Sequence, residues 1–475
     1  MSRLKFWKKR VVTIAARRET WEIFERLVQQ LEIAGIPFWS GSASWEGVLR
    51  IDFRAEDRSI VDKIIRVEIS QNNFLRYLVK NGQKLRRFRP FSGRFDIALV
   101  HHLRDGAVFV TKIELGEWGP RKSYAGTKVG PDIPNPRFMY ASSVERALSY
   151  RPHPLPDPET YDFPIDIVYT WVNDADPLWA AEREKWAAQL GITQGTIRRA
   201  NHKERFRNRD ELRYSLRSIE MFAPWVNRIH IVTADQTPEW LDTSHPKINL
   251  VSHSDIFDAD HLPTFNSSAI ECRLHHIPGL AEHFVYFNDD MFLGQPCERS
   301  MFFYSNGISR FFMSAATAIP ELHDGEVEEY LKADFNAIRL FREHLKFSPT
   351  HLMEHVPYAA RRSLLYEMEE LFSGSFKACS RSKFRSGDDL RPLAFMYPHY
   401  AFTKGLAVPG STSYRYLALW KPKIGRQLKQ TLRTRRHSTF CINDVGIPAE
   451  REEAVNRKVS LFMEAYFPLK SSFEK

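Results

Sequence analysis

The sequence predicts an α/β protein: a mostly parallel, doubly wound sheet preceded by a small N-terminal α/β domain. Three observations carry that prediction. Short apolar runs rich in β-formers, at residues 165–172, 229–233, 248–251 and 284–287, alternate with helical patterning, and strands alternating with helices build parallel sheets. The first run is apolar on both faces, as a strand in the middle of a parallel sheet must be. Polar clusters follow two of the runs at once: Asn173, Asp174 and Asp176 after the first, and Asn288, Asp289 and Asp290 after the fourth. Open α/β sheets bind ligands at the carboxyl ends of their strands.

The chain has 475 residues, of which 43% are hydrophobic and 27% charged. That fits a soluble globular protein of two or three domains. Lys plus Arg number 68 against 58 for Asp plus Glu, a net charge of +10. The excess points to an anionic partner: nucleotide phosphates, an acidic polymer, a membrane surface or nucleic acid. Cys272, Cys297, Cys379 and Cys441 show no metal-type spacing and read as ordinary thiols of a reducing compartment. No apolar run reaches the length of a membrane span. The basic N-terminus leads only into a short apolar stretch broken by Arg17, Arg18 and Glu19, which is not a signal peptide. A cytoplasmic protein is expected.

Residues 11 to about 125 read as the small α/β unit. Residues 11–15 and 48–53 pattern as strands. Phe24, Leu27, Val28 and Leu31 sit at helical spacing, with Gly35 where a C-terminal cap belongs. Residues 95–100 and 107–115 pair across the Asp105-Gly106 turn. Lys84, Arg86, Arg87, Arg89 and Arg94 form a basic cluster, read either as a solvated face or as a contact for a polyanion or lipid headgroups. No catalytic constellation assembles here, so 1–129 is assigned as an accessory domain. Residues 130–164 are rich in proline and read as a linker, which leaves 165–475 as the main domain.

In that domain Tyr169 and Trp171 are either core aromatics or a stacking surface for a base. Neither G-x-G-x-x-G nor a P-loop follows the first strand. Residues 210–222 form a helix with Leu212, Leu216 and Ile219 on one face, acidic at its start and stopped by Pro224. A segment from Leu262 to Glu271 leads into a helix carrying His275 and His276. Adjacent positions do not share a helix face, so no metal site is assigned to that pair. A further helix is expected over 358–372. The pair Asp289-Asp290 reads either as a solvated turn or as a site where a divalent ion and a diphosphate offset two adjacent carboxylates. Asn443-Asp444 is a second such pair after an apolar run.

Four ordered segments then resemble one family. They are Tyr169-Thr-Trp-Val-Asn-Asp-Ala-Asp-Pro177; the stretch from Arg205 to Gly294 with Arg209-Asp-Glu-Leu-Arg-Tyr-Ser-Leu-Arg217, Leu262-Pro-Thr-Phe-Asn-Ser267 and Asn288-Asp-Asp290; His355-Val-Pro357 through Phe384-Arg-Ser to His399-Tyr400; and Cys441-Ile-Asn-Asp444. They are similar to the four blocks of the Stealth hexose-1-phosphate transferases. That family includes bacterial capsule and exopolysaccharide phosphotransferases and the catalytic subunit of the lysosomal-enzyme GlcNAc-1-phosphotransferase. Where animal members carry His-Ser-Glu-Asp, this chain has Arg385-Ser-Gly-Asp-Asp389, nearer the bacterial form, which leaves the roles of Asp388 and Asp389 open.

The resemblance implies a glycosyltransferase-A-like sheet, a UDP-sugar donor, and transfer of hexose-1-phosphate (GlcNAc-1-phosphate or similar) to a saccharide or lipid-linked saccharide hydroxyl with release of UMP. Within that frame Asp289, Asp290, Asn443 and Asp444 are candidate ligands for Mg²⁺ or Mn²⁺. His355 is the candidate base, read otherwise as a packed or capping histidine. Arg385 would stabilise developing negative charge, and Asp290 joins these two as catalytic. Donor contacts fall to Tyr169, Trp171, Asn173, Asp174, Arg209, Asp210, Arg217, Asn266 and Ser267. Two other functions fit parts of the chain: a conventional glycosyltransferase moving the sugar alone, and a non-enzymatic basic protein that binds a membrane or a polyanion. No nucleic-acid partner is expected. The segment from Lys421 to His437 has eight basic residues and no acid. Its apolar positions Ile424, Leu428 and Leu432 suggest a basic amphipathic helix lying on the cytoplasmic face of the inner membrane. The competing expectation is that this segment grips the acceptor polymer or donor phosphates.

Overall fold

The computed structural model describes residues 10–36, 38–42, 46–54, 57–71, 75–79, 85–86, 95–104, 107–118, 121–122, 128–129, 161–192, 208–318, 329–444 and 446–475. The chain divides into two compact units, Met1–Pro156 with Met221–Pro224, and Asp157–Glu220 with Trp225–Lys475. The division falls inside the proline-rich stretch, most of which lies outside the described residues, as do the Asp105-Gly106 turn and most of the basic cluster from Lys84 to Arg94.

The first unit carries β1 (Arg10–Thr13), α1 (Arg18–Ile33), β2 (Phe38–Ser42), β3 (Leu49–Arg54), α2 (Arg58–Gln71), β4 (Leu75–Val79), β5 (Leu85–Arg86), β6 (Phe95–Arg104) and β7 (Ala107–Trp118). The long β7 is its spine. Its first half pairs in parallel with β1, its second half with β3, and its other edge runs antiparallel to β6. Ile23, Phe24, Leu27 and Leu31 of α1 are buried with Ile51, Ile97 and Ile113, as the helical spacing requires. Gly35 takes φ +65° after the helix, a conformation that costs glycine nothing. The short β8 (Arg121–Lys122) and β9 (Lys128–Val129) pair with each other.

The second unit is built on β10 (Ile165–Thr170), β11 (Ile229–Thr233), β12 (Ile248–Ser252), β13 (His283–Asn288) and β18 (Tyr358–Arg361), in the order β12-β11-β10-β13-β18. The first four are parallel and β18 is antiparallel. From β10 the chain moves outward through β11 and β12, then returns to the opposite side of β10 as β13. The direction reverses between β10 and β13, and such a switch point opens a crevice at the strands' carboxyl ends. Tyr169, Phe284, Val285 and Phe287 are fully buried, which accounts for strands apolar on both faces. The sheet is mostly parallel, as the alternating pattern predicts.

Helix α3 (Pro177–Gln189) begins where Asp176 accepts from the backbone N–H of Leu178 and Trp179 at 2.9 and 3.3 Å, with proline in the first turn. Asp176 is thereby a helix cap. Helix α4 (Glu211–Phe222) buries Leu212, Leu216 and Ile219, the face its spacing marks. Helix α5 (Ser267–Glu271) is short, capped by the Asn266 side chain on Ser268 N–H. The helix expected over 358–372 starts later than the pattern suggested. Tyr358–Arg361 pairs along the edge of β13, and helix α7 (Arg362–Leu371) follows α6 (Glu329–Leu345). The sheet edge claims four residues that helix periodicity alone assigns to the helix.

A second, three-stranded sheet completes the site. Strand β14 (Met291–Leu293) leaves β13 after the two aspartates and runs antiparallel to β21 (Thr439–Asn443), which pairs in parallel with β20 (Tyr414–Ala418). Smaller pairs join β15 (Ser309–Phe311) with β19 (Ala407–Pro409) and β16 (Met313–Thr317) with β17 (His351–Met353). Helices α8 (Ser373–Arg381), α9 (Tyr397–Thr403), α10 (Ile424–Thr434) and α11 (Ala449–Tyr466) complete the unit. Among the described residues, no helix is long and apolar enough to cross a membrane.

Candidate functional site

A cavity of about 520 Å³ opens at the carboxyl ends of β10 and β13. Its walls come from all four segments quoted above. Trp171 follows β10, Ser267 starts α5, and Asp289 and Asp290 follow β13. His355 lies between β17 and β18, Arg385 lies beyond α8, and Asn443 and Asp444 end β21. The second sheet brings the last pair in. Met291 and Cys441 are register partners, and Ile442 N–H donates to the Asp290 carbonyl at 3.0 Å. Two residue pairs about 150 positions apart in sequence, Asp289-Asp290 and Asn443-Asp444, are thus tied to one floor.

The floor is short of positive charge. Asp289 is driven well above the usual carboxylate range by burial, then by Glu211, Asp290 and Asp444 beside it. Burial likewise pushes Glu211 up to about 7 against the opposing pull of Arg209. Asp290 Oδ2 accepts from the Cys441 thiol at 3.1 Å. Its Oδ1 is buried without a hydrogen-bond partner among the described residues, with His355 Nε2 3.8 Å away. Leaving such an atom unmet is costly unless a ligand completes it. Asp290, His355 and Cys441 each place one ligand atom within 4.8 Å of the others. A thiol and an imidazole suit a soft ion, whereas the oxygen set Asp289, Asp290, Asn443 and Asp444 suits Mg²⁺ or Mn²⁺. The unmet Oδ1 and the raised Asp289 are what such an ion would relieve, so the residues fit the group.

Basic groups line the cavity as well. Arg385 Nη2 donates to Ser267 Oγ at 2.7 Å. Arg391 is held by Asp334, with Nη1 3.0 Å from both carboxylate oxygens. His355 Nδ1 lies 3.4 Å from the Tyr358 hydroxyl, and its ring centroid is 6.3 Å from that of Tyr416. Trp179, Phe265 and Phe384 pack in one apolar cluster, and the first two line the cavity.

Of the predicted residues, Trp171, Ser267, Asp289, Asp290, His355, Arg385, Asn443 and Asp444 meet at the cavity. The remaining donor candidates do not line it. Tyr169 is fully buried, its hydroxyl 2.7 Å from Ser215 Oγ. Arg217 is locked on Glu474 at 2.7 Å and on the Phe467 carbonyl at 3.0 Å, where it ties α4 to the C-terminus. Asn173 and Asp174 organise the turn after β10. The backbone N–H of Asn173 donates to Gln236 at 2.8 Å, and Asp174 accepts from Asn208 N–H at 3.3 Å. Asp210 takes φ +62° just before α4. Arg209 stands behind the floor, paired with Asp444. Asn266 is buried and donates to Asp389 Oδ1 at 2.8 Å.

Sequence reasoning missed two carboxylates that line the cavity, Glu211 and Glu271. Glu271 ends α5 and is half-buried on the cavity wall. Burial pushes it up to about 7 although Arg391, Arg385 and His355 pull it down. Asp389, left open above, also lines the cavity and is raised to about 6 by burial despite its bond from Asn266. The only signal for Glu211 and Glu271 was an acid next to a helix boundary, which is common.

The structure corrects two further expectations. His275 and His276 do not lie on an α-helix. Residues Leu274–His276 form a tighter 3-10 turn, and both Nε2 atoms reach Glu369 Oε2 at 2.7 Å. The face argument that separated them does not apply to that geometry. In the segment from Lys421 to His437, the apolar stripe faces inward. Ile424 and Leu428 are buried, and α10 packs on α11. Arg435 is buried too, its guanidinium 3.9 Å over the Tyr466 ring. Two of the three apolar positions expected to face lipid are thus committed to the core, and what this segment leaves exposed is basic. Lys421, Lys423, Arg426, Lys429, Arg433 and Arg436 remain exposed.

Comparison with known proteins matches four conserved regions of the Stealth proteins in order: region 1 over residues 163–191, region 2 over 205–311, region 3 over 354–402 and region 4 over 430–475. An exopolysaccharide phosphotransferase of Streptomyces coelicolor is 38% identical over 410 residues, covering 82% of this chain and 42% of that protein. The capsular polysaccharide phosphotransferase LcbA of Aeromonas hydrophila is 38% identical over 287 residues, covering 60% of this chain and 79% of LcbA. The capsular polysaccharide phosphotransferase SacB of Neisseria meningitidis serogroup A is 37% identical over 329 residues, covering 68% of this chain and 59% of SacB. The chain spans about half the length of the Streptomyces relatives. A solved structure of the bifunctional glycosyltransferase WbbM overlaps 77% of this chain with a TM-score of 0.32 and 9% identity. That likeness is too loose to assign a fold, which is read from the chain's own sheet.

Proposed function

Because the chain belongs to the Stealth family, we propose that it transfers hexose-1-phosphate from a UDP-sugar to a hydroxyl of a saccharide acceptor, releasing UMP, in capsule or exopolysaccharide synthesis. One observation carries the reading. A carboxylate floor with an unmet Asp290 oxygen, His355 3.8 Å from that oxygen, and Arg385 all line one cavity at the sheet's switch point. Phosphoryl transfer asks of a protein mainly charge neutralisation, positioning and a base, and those three functions stand around this space.

In the proposed reaction the acceptor oxygen forms a bond to the sugar-bearing phosphorus, and the bond from that phosphorus to the bridging oxygen breaks. UMP departs with the electron pair. Mg²⁺ or Mn²⁺ held among Asp289, Asp290, Asn443 and Asp444 would supply charge neutralisation for the diphosphate. His355 takes the hydroxyl proton at Nε2, and Asp290, 3.8 Å away, steadies the imidazolium that results. Arg385, oriented by Ser267, presents its fork of donors to the phosphoryl oxygens. Trp171 offers a ring for the base.

The test is to incubate the protein with a panel of UDP-sugars, Mg²⁺ and saccharide acceptors, following nucleotide release and phosphorus NMR. UMP with a new phosphodiester supports the reading. UDP with a glycosidic bond replaces it with ordinary sugar transfer. No turnover on any donor, joined to salt-sensitive binding of polyanions, replaces it with a binding protein.

A further inference from the structure

Beyond the cavity mouth the surface changes character twice along one short piece of chain. Tyr416 on β20 lines the cavity and is 38% exposed; Trp420, four residues on, is 37% exposed. Their ring centroids are 6.4 Å apart at 70°. Two rings open to solvent at the mouth of the cavity offer a flat apolar face on which a sugar ring can stack. The turn that carries Trp420 is fixed. Arg451 donates to the carbonyls of Trp420 and Lys421 at 3.0 and 3.2 Å.

Lys421 and Lys423 follow at once, and then α10, whose inner face buries Ile424, Leu428 and Thr431. Its outer face carries Arg426, Lys429 and Arg433, all exposed. Among the described residues, none of these five cations has a carboxylate within ion-pair distance. The helix has 11 residues, so the basic face runs roughly 16 Å beyond the aromatic pair. Like charges left unopposed at this density repel one another and raise the local potential. Their arrangement fits a polyanion.

We propose that Tyr416, Trp420 and the outer face of α10 form an acceptor subsite that holds an anionic, phosphodiester-linked saccharide chain leading into the cavity. The inference rests on the phosphotransfer reading, which also explains why the acceptor is charged. Each transfer leaves one phosphodiester, and hence one negative charge, between acceptor and added sugar. A chain already extended therefore presents alternating rings and anions, and the surface presents rings and then cations. Binding should tighten with acceptor length until the helix face is filled. A lipid surface is the less suitable occupant because the apolar side of α10 is committed to the core.

The experiment measures direct binding, without donor, of phosphodiester-linked hexosamine oligosaccharides of two to eight units to the full chain. For wild type the expected result is affinity that rises with length and falls with salt. Trp420→Ala should weaken binding at every length, with Trp420→Phe restoring most of it. Replacing Lys423, Arg426 and Lys429 together by Gln should weaken the longer members by about tenfold, chiefly through association rate, and flatten the salt dependence. Circular dichroism and thermal midpoint check that each variant folds. Length-independent binding by wild type overturns the proposal. So does a triple variant that binds the longer oligosaccharides normally, or one that loses only binding to anionic liposomes. Because no turnover is read, failure of phosphotransfer and failure of this subsite are separate results.

Discussion

Two carboxylate–histidine clusters in the second unit use the same side-chain types and differ in what surrounds the acid. At Glu369 the close neighbours are donors. Arg273 Nη1 reaches Oε1 at 2.8 Å, and His275 and His276 reach Oε2 at 2.7 Å. Burial alone would raise this carboxyl, but the hydrogen bonds from the two imidazoles outweigh it and hold the group well below the usual range. At the cavity floor the close neighbours are other acids. Burial raises Asp289, and Glu211, Asp290 and Asp444 raise it further, while Asp290 Oδ1 stays unmet. A carboxylate that completes its own partners stabilises the fold. A group of carboxylates left short of cations is held there by the rest of the structure, and such imbalance marks sites where a ligand finishes the arrangement.

The sharpest break in the comparison is Asp290→Ala. If the floor holds a divalent ion, the variant should lose turnover altogether with circular dichroism unchanged, and EDTA should do the same to wild type reversibly. A readout independent of activity is thermal melting with and without Mg²⁺. At a hundredfold excess over its dissociation constant the ion should stabilise wild type by about 2.7 kcal/mol, and Asp290→Asn should remove that shift. Full activity in EDTA removes the metal from the floor.

Next in size is His355→Ala, expected to cut the maximal rate by ~10²–10⁴-fold with little change in donor affinity. A variant that loses donor affinity at an unchanged maximal rate makes His355 a binding residue. The analogous changes His275→Ala and His276→Ala, at the satisfied cluster, should leave turnover within about twofold of wild type and lower stability instead.

How much of this contrast the sequence disclosed depends on how local each part is. Asp289 and Asp290 follow a strand that its own apolar run defines, and where open sheets bind their ligands is a general rule. Tyr169 and Arg217 had the right neighbours in sequence, but a strand buried on both faces keeps one in the core and Glu474 took the other. Glu211 and Glu271 became floor and wall only because α4 and α5 converge on one crevice, and no spacing within either helix encodes that. For α10 the amphipathic period was readable, yet a period does not say whether lipid or α11 covers the apolar side. His275 and His276 were separated by a rule for α-helices that their 3-10 turn does not obey.

A smaller effect concerns pH. Glu271 is pushed up to about 7, chiefly by burial. A carboxyl raised in the fold favours its protonated form, so the folded state binds the proton more tightly than the unfolded one. Stability from this group is then full below the ordinary carboxylate range near 4.3 and is lost as pH rises to about 7. Glu211, also at about 7, adds the same sign. Metal-free protein should therefore melt lower at pH 8 than at pH 5, and Glu271→Gln should remove part of that slope, up to about 3 kcal/mol. A flat profile in wild type means that the wall is already neutralised.

The smallest expected effect tests the opposite sign at Glu369. Its carboxyl is held low, so its contribution to stability is present above the ordinary carboxylate range and is lost as pH falls towards the folded value. Glu369→Gln keeps the shape and removes the charge. One amide oxygen then has to serve Arg273, His275 and His276, and the amide's own donors face donors. The variant should be less stable by about 1–3 kcal/mol at neutral pH, with kcat at 25 °C within about twofold of wild type. Below pH 4 the gap should narrow, because the unfolded wild-type chain takes up a proton there that the folded carboxylate still refuses. If Glu369→Gln instead abolishes turnover at unchanged stability, the two clusters are not a structural and a functional version of one motif, and the satisfied one takes part in the reaction.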